Sequence, residues 1–194
     1  GGTTPTPTPI PSPTPTPTPT PGPTPSPTPI PTPTGSAYYV SPSGDDSNNG
    51  TSPNSPFKTF EKARNSMRSG PVKTTYLMGG VYNVTGSLDL GSSDNGQFWL
   101  GYPGQTPVLD GRGSVARAMT ISSASNITVR WLTIQDFQID GIKIGGSSNI
   151  TIDSNTILNI NSNDWNQAAI NISGSFVNGK VTHNYIKGTG YSGI

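Results

Sequence analysis

"DGIKIGGSSNITIDSNTI" (residues 140–157) is the stretch that decides the fold, because isoleucines alternate with other residues in short runs. Ile-x-Ile occurs at residues 142–144 and again at 150–152, with Gly, Ser and Asn between the two runs. Alternation with a period of two places successive side chains on opposite faces of a strand. The stretch therefore predicts short strands joined by a turn. A single strand pair does not need such a unit, whereas a coil that repeats along an axis does.

The same unit recurs twice more. Three nine-residue segments align with offsets of 23 and 29 residues: "NITVRWLTI" (126–134), "NITIDSNTI" (149–157) and "NGKVTHNYI" (178–186). A second register lies between them: "AMTI" (118–121), "GIKI" (141–144) and "AINI" (169–172). Such periods are typical of a β-solenoid, in which equivalent strands of successive coils pair in parallel. A sandwich of short strands also alternates, but it does not predict a recurring register. We therefore predict an all-β solenoid of about four coils.

The alignment also predicts which side chains line the interior. Stacked apolar positions should point inward: Ile127, Val129, Ile142, Ile144, Ile150 and Ile152. Asn155 and Asn184 fall in one column with Leu132. We expect these two side-chain amides to stack and to bond the turn backbone.

Both ends of the solenoid carry a prediction. Residues 55–70 place Phe60, Ala63 and Met67 on one helical face, with Gly70 beyond the end, which predicts an N-terminal capping helix. The sequence stops at "YSGI" just as a new coil opens. Coils bury their cores only against neighbouring coils, so we expect the domain to be truncated at its C-terminus.

Composition separates the chain into two regions. Residues 1–34 hold 15 of the 21 prolines and no charged residue, which predicts an extended, disordered Pro/Thr-rich linker to an upstream module. Residues 35–194 form the second region, the N-terminal part of the solenoid domain. Linkers of this composition occur mostly in secreted modular proteins, so we predict that the protein is secreted. The net charge of +1 favours neither nucleic acid nor a membrane surface as partner, and the absence of cysteine excludes disulfides.

Three segments carry a family resemblance: "YYVSPSGDDSNNGTSPNSPFKTFEKA" (38–63), "YLMGGVYNV" (76–84) and "GYPGQTPVLDG" (101–111). Together they resemble the opening of right-handed parallel β-helix proteins of the pectate-lyase-like superfamily. The resemblance implies a right-handed β-helix and a groove for a long, often acidic polysaccharide along one parallel sheet. It implies no single activity, since the superfamily includes lyases, hydrolases, epimerases and non-catalytic surface proteins.

The resemblance to calcium-dependent lyases implies a set of site residues. Those lyases use clustered aspartates for Ca²⁺ and a lysine base on neighbouring coils, so Asp140 with Asp136 or Asp164 is the candidate calcium set and Lys143 the candidate base. We predict further substrate contacts from Arg117, Asn171 and Trp165. The alternative is that Arg117 and Asp140 form only a stacked surface pair, and that Trp165 packs over the coil edge.

The segment "DGIKIGGSSNITI" is also similar to a polygalacturonase strand, with Asp140 at the catalytic aspartate position. Inverting hydrolysis needs a second carboxylate across the scissile bond, and Ala168 stands in that column. A hydrolase is therefore disfavoured. We predict a secreted, monomeric, calcium-assisted lyase of a uronate polymer, with a non-catalytic carbohydrate-binding or surface β-helix as the alternative.

Two charged features have structural interpretations. Arg130 and Asp153 share one outward column and should form a cross-strand ion pair. His183 aligns with Trp131 and Ser154 at a turn, which predicts an exposed turn residue.

Overall fold

The computed structural model describes residues 1–2, 35–161, 167–190 and 192–194. The predicted linker over residues 1–34 lies almost wholly outside this part of the chain. The described residues contain one α-helix, α1 (Phe60–Ser69), and otherwise short strands, numbered β1 to β15 in chain order, with a 3₁₀ turn at Ser92–Asp94. The helix in this part of the chain is too short and too polar to cross a membrane.

Each coil contributes one strand to each of three sheets. The first sheet has six strands: β1 (Tyr38–Val40), β2 (Thr74–Leu77), β5 (Phe98–Gly101), β8 (Thr128–Arg130), β11 (Thr151–Asp153) and β14 (Lys180–Thr182). The second sheet has five: β3 (Gly80–Asn83), β6 (Pro107–Asp110), β9 (Thr133–Gln135), β12 (Thr156–Leu158) and β15 (Tyr185–Lys187). The third sheet has four: β4 (Leu88–Leu90), β7 (Arg117–Ser122), β10 (Asp140–Ser148) and β13 (Ile170–Val177).

Strand pairing in the described residues is parallel throughout. In the first sheet Ile152 pairs with Val129 on one side and Val181 on the other. In the third sheet Ile144 pairs with Ile121 and Ile172. These registers confirm both predicted repeats and the β-solenoid of about four coils, and they exclude the sandwich.

The core is the stacked interior of the coils. The six side chains predicted to point inward are all fully buried: Ile127, Val129, Ile142, Ile144, Ile150 and Ile152. Burying an aliphatic side chain of this size contributes about 1.5–3 kcal/mol relative to exposure. The interior columns are therefore the main source of stability, and the outer faces of the sheets are free to carry polar chemistry.

The asparagine column forms as predicted. Asn155 is 1% exposed; its Oδ1 accepts from Leu132 N at 3.1 Å and its Nδ2 donates to Val129 O at 3.1 Å. The same Nδ2 donates to Asn184 Oδ1 at 3.0 Å, and Asn184 Nδ2 donates to Ile152 O at 2.8 Å. The ladder pairs backbone groups of three buried residues, Val129, Leu132 and Ile152, where the first sheet turns into the second.

Helix α1 caps the first coil as predicted. Thr59 is the N-cap and accepts from Lys62 N, while Gly70 follows the last turn; Ala63 and Met67 are buried and Phe60 is partly buried against the core. Arg68 anchors the helix through a bidentate pair with the buried Asp94, at 2.7 and 2.6 Å. Hydrogen bonding to Asp94, with burial opposing it, raises the pKa of Arg68. The sequence had not suggested this pair.

Candidate substrate-binding face

The outer face of the third sheet presents a polar column that crosses four coils. Asp89, Thr120, Lys143 and Asn171 occupy equivalent positions in β4, β7, β10 and β13. Lys143 is half-buried between Thr120 and Asn171, because the flanking isoleucines of β10 point inward and force it outward. The lysine predicted as a base thus lies on an outer sheet face.

Asp140 begins β10 and is fully buried. Its Oδ2 accepts from Arg117 Nε at 2.5 Å, and its Oδ1 accepts from Ala168 N and Asn171 Nδ2, each at 3.0 Å. These donors belong to the preceding and following coils. The carboxylate therefore ties three consecutive coils together through charge-assisted hydrogen bonds.

This arrangement corrects the interpretation of Arg117 and Asp140 as a surface pair. The two residues do stack one coil apart, but Asp140 has no exposed side-chain area and Arg117 is only 26% exposed. A buried carboxylate without its cation costs several kcal/mol. The sequence pattern placed Asp140 on an outward face; in the structure the next coil covers it with two donors, Ala168 N just before β13 and Asn171 Nδ2 within it.

The predicted calcium residues do not come together in the described residues. Both oxygens of Asp140 are engaged by protein donors, one of them a cation 2.5 Å away, which a metal ion would have to displace. Asp136 follows β9 and lies at the exit of the second sheet, and Asp164 and Trp165 lie outside the described residues. Across those residues no three His, Cys, Asp or Glu side chains converge as metal ligands. Asp140 is therefore engaged as a structural acceptor, and the calcium set named from the resemblance stays a prediction.

Asp136 instead lines a groove along the turns that leave the second sheet. The groove has a volume of about 830 Å³ and is built from residues at the ends of the second-sheet strands and in the turns that follow them in successive coils: Asp110, Arg112, Asp136, Asn159, Asn161 and Thr189 among others. Asp136 has a φ of +58°, and Asn159 and Gly188, which follow β12 and β15 in the same way, are also left-handed, at +51° and +70°. Gly, Asn and Asp tolerate a left-handed conformation best, which explains why these three positions hold small or polar residues.

Among the described residues of the next coil, no second carboxylate faces Asp140. Ala168 is buried there, and it contributes only its backbone N–H. The carboxylate pair of an inverting hydrolase is thus missing at this position.

The outer face of the first sheet carries a second charged cluster, centred on Asp153. Arg130 Nε lies 2.8 Å from its Oδ2, which confirms the predicted cross-strand ion pair, and Thr182 Oγ1 donates to its Oδ1 at 2.6 Å. His183, mostly exposed with a φ of +53°, places Nδ1 2.8 Å from the same oxygen. Burial raises the pKa of Asp153, but the hydrogen bonds from Thr182 and His183 and the Arg130 charge outweigh it, so that the pKa is lowered.

The sequence analysis missed a cluster of tyrosines on this outer face. Tyr39 and Tyr76 are buried outside the solenoid core, with ring centroids 5.9 Å apart, and Tyr102 meets both edge-on. Burial raises the pKa of Tyr39 and of Tyr76. The pair Tyr38–Tyr39 in one strand was the available signal, because one of two adjacent side chains in a strand must point outward.

Comparison with known proteins gives a family and a likeness to solved structures. The model of the Pel9A-like, right-handed β-helix region matches residues 38–192. Among solved structures, a rhamnogalacturonan lyase matches with a TM-score of 0.45 and 19% identity, covering 80% of this chain and 51% of that one. The chain thus spans about half the length of that lyase. Among curated proteins nothing matches.

Proposed function

Because the chain belongs to the Pel9A-like right-handed β-helix family, we propose that it is part of a secreted polysaccharide lyase that cleaves a uronate polymer such as pectate. The family confirms the resemblance to the pectate-lyase-like superfamily and its polysaccharide-lyase-like fold. The observation that carries the proposal further is the polar outer column of the third sheet, with Lys143 between Thr120 and Asn171. The Pro/Thr-rich segment over residues 1–34 supports secretion and attachment to another module.

The reaction is a β-elimination. A base removes the proton on C5 of the uronate, and the electron pair of the C5–H bond forms the C4–C5 double bond. The bond between C4 and the glycosidic oxygen breaks, and this oxygen leaves with the electron pair of the C4–O bond and takes up a proton. No water is added, so the products carry one unsaturated sugar at a new non-reducing end.

Lys143 is the proposed base, acting as an uncharged amine that accepts the C5 proton. Its position between a threonine hydroxyl and an asparagine on a parallel sheet leaves it accessible to a sugar lying across the strands. Arg117 and Asn171 support the site differently, because Arg117 Nε and Asn171 Nδ2 are both committed to Asp140. The exposed part of the Arg117 guanidinium is what a substrate carboxylate would meet, and Trp165 stays a candidate for stacking.

Calcium assistance stays a prediction for this chain, and no step is assigned to an ion. The aspartates named from the resemblance do not converge in the described residues. A calcium requirement is therefore tested separately from the elimination, by comparing added Ca²⁺ with EDTA.

The test is an assay of the 194-residue chain on polygalacturonate, alginate and chondroitin, read by ultraviolet absorbance of the unsaturated product. Lys143→Met should abolish that absorbance, whereas Lys187→Met, which removes an exposed lysine of the second sheet, should leave it intact. Equal activity of the two variants would remove Lys143 from the reaction. A flat trace from folded protein on all three polymers would overturn the lyase for these substrates.

A non-catalytic carbohydrate-binding β-helix is the second candidate. The observation that favours it is the engagement of Asp140 in structural hydrogen bonds, so that the described residues form no acidic cluster beside Lys143. Under this function the folded chain would bind a polysaccharide and release no unsaturated product.

A further inference from the structure

The outer face of the first sheet has an open aromatic trough, on a different face of the solenoid from the polar column of the third sheet. Phe98 on β5 is 42% exposed, and Trp131 directly follows β8. The trough has a volume of about 320 Å³ and is lined by six residues: Phe98, Leu100, Thr128, Arg130, Trp131 and Thr151. It joins aromatic rings, hydroxyl groups and a guanidinium in one surface.

Strand register explains its shape. Phe98, Thr128, Thr151 and Lys180 form one outward column over four neighbouring strands. The two threonines are small, so they make a floor between a phenylalanine at one end and a lysine at the other. Strands lie about 4.8 Å apart, which makes this floor long enough for a sugar ring to rest on. Hydroxyl groups can exchange hydrogen bonds with sugar hydroxyls.

The charge of this face favours an anionic ligand. The strands of the first sheet carry two cations, Arg130 and Lys180, and one acid, Asp153. The Asp153 carboxylate is already bonded by Thr182 and lies 2.8 Å from Arg130, so it adds little negative potential outside. The Arg130 side chain keeps 39% of its area exposed, and Lys180 is exposed. Charges arranged in this way attract a carboxylate.

The backbone at Trp131 is a further sign that its ring has a role. Its φ is +60°, a left-handed conformation that costs a bulky residue free energy. Ser154 and His183 occupy the equivalent turns of the next coils, so the turn itself needs no large ring. The indole lies beside the trough, 5.6 Å from the guanidinium carbon of Arg130.

We propose that this trough binds a segment of an acidic polysaccharide, with one uronate ring stacked on Trp131 and Phe98, its carboxylate facing Arg130, and the carboxylate of a later uronate facing Lys180. The class of polymer rests on the proposed function, but the site is separate from the third sheet and performs no chemistry. When one face of the solenoid holds the polymer, the local concentration of the polymer at the other face is raised. The trough would thus hold the protein on its substrate between cleavage events.

Affinity electrophoresis of the 194-residue chain in EDTA tests the trough, using polygalacturonate as probe and fully methyl-esterified pectin as its uncharged counterpart. Trp131→Asn removes the ring and places a residue that tolerates a left-handed conformation, so the fold should be kept. Tyr185→Asn is the matched control, because Tyr185 is an exposed aromatic residue of the second sheet. Lys180→Gln is paired in the same way with Lys187→Gln.

We expect polygalacturonate to retard the wild type, and Trp131→Asn and Lys180→Gln to bind about tenfold more weakly, with both controls unchanged. Equal retardation of Trp131→Asn and Tyr185→Asn would overturn the site, as would equal binding of the esterified polymer. Absence of retardation of the folded wild type would also overturn it. Because this assay measures binding and the lyase assay measures an unsaturated product, either proposal can fail while the other stands.

Discussion

Arg117 Nε lies 2.5 Å from Oδ2 of Asp140, and the two residues begin equivalent strands of adjacent coils. The other oxygen of Asp140 accepts from Ala168 and Asn171 one coil further on. An aspartate at a position suggestive of catalysis is therefore part of the framework that fixes the spacing of three coils. Asp140 is therefore a buried carboxylate whose two oxygens are both occupied by hydrogen-bond donors.

Removing the cation of this pair should be strongly destabilising. Arg117→Met leaves a buried carboxylate with two neutral donors, and we expect a loss of about 3–5 kcal/mol in the free energy of unfolding. Urea titration followed by circular dichroism measures it. The double variant Arg117→Met/Asp140→Asn should recover part of this loss, because a neutral amide needs no cation. Arg112→Met, at an exposed arginine, should change stability little; a neutral effect of Arg117→Met would contradict the framework role.

The asparagine ladder predicts a second difference. Asn155→Ala leaves Leu132 N and Val129 O unpaired in the interior, at about 1–3 kcal/mol for each group. Asn184→Ala should cost less, because Asn184 is only partly buried. Asn65→Ala, at an exposed position of α1, serves as control and should be neutral or slightly stabilising. Equal losses at residues 155 and 184 would show that burial does not set the strength of the ladder.

Asp153 predicts a dependence of stability on pH. Its pKa in the folded state is lowered, since the hydrogen bonds from Thr182 and His183 and the Arg130 charge outweigh the opposing effect of burial. The native state therefore binds fewer protons than the unfolded chain, whose aspartate titrates near about 3.9. The stabilisation is complete above that pH and is lost as the pH falls through the lower folded value. Unfolding free energies of the wild type and Asp153→Asn should thus converge below about pH 4. A constant difference down to strong acid would contradict the shift.

Close packing at Gly101 gives a further prediction. A Cβ added there would lie 2.2 Å from the carbonyl oxygen of Trp131, so Gly101→Ala must displace the turn after β8. We expect it to destabilise the protein by about 1–3 kcal/mol or more and to broaden or shift the Trp131 signals in NMR spectra. Gly91→Ala is the matched control, because its Cβ would meet no atom closer than 3.7 Å. Tolerance of both substitutions would contradict the packing at this turn.

The sequence predicted the parts of this fold that follow from period and offset. Val129, Ile152 and Val181 pair as the repeat requires, and Ala63 and Met67 face the core from the capping helix as the local helical pattern requires. These features depend on residue spacings that can be read directly from the sequence. The site depends on side chains brought together from different coils by turns.

Asp140 shows why the site could not be predicted as well. Its hydrogen-bond donors come from residues 117, 168 and 171, and nothing in their sequence spacing indicates that they meet at one buried carboxylate. The outer aromatic trough was missed for the same reason. Phe98 and Trp131 lie in different coils and meet only through the parallel register of the first sheet.

The mass of the products released from polygalacturonate in H₂¹⁸O tests the central claim most directly. Elimination predicts oligosaccharides one water lighter than hydrolysis products, with an unsaturated end and no ¹⁸O gained from the cleavage itself. Lys143→Met should release none of them, and Lys187→Met should release as many as the wild type. Saturated products that carry ¹⁸O would contradict a lyase, and so would the absence of any product from a chain shown to be folded.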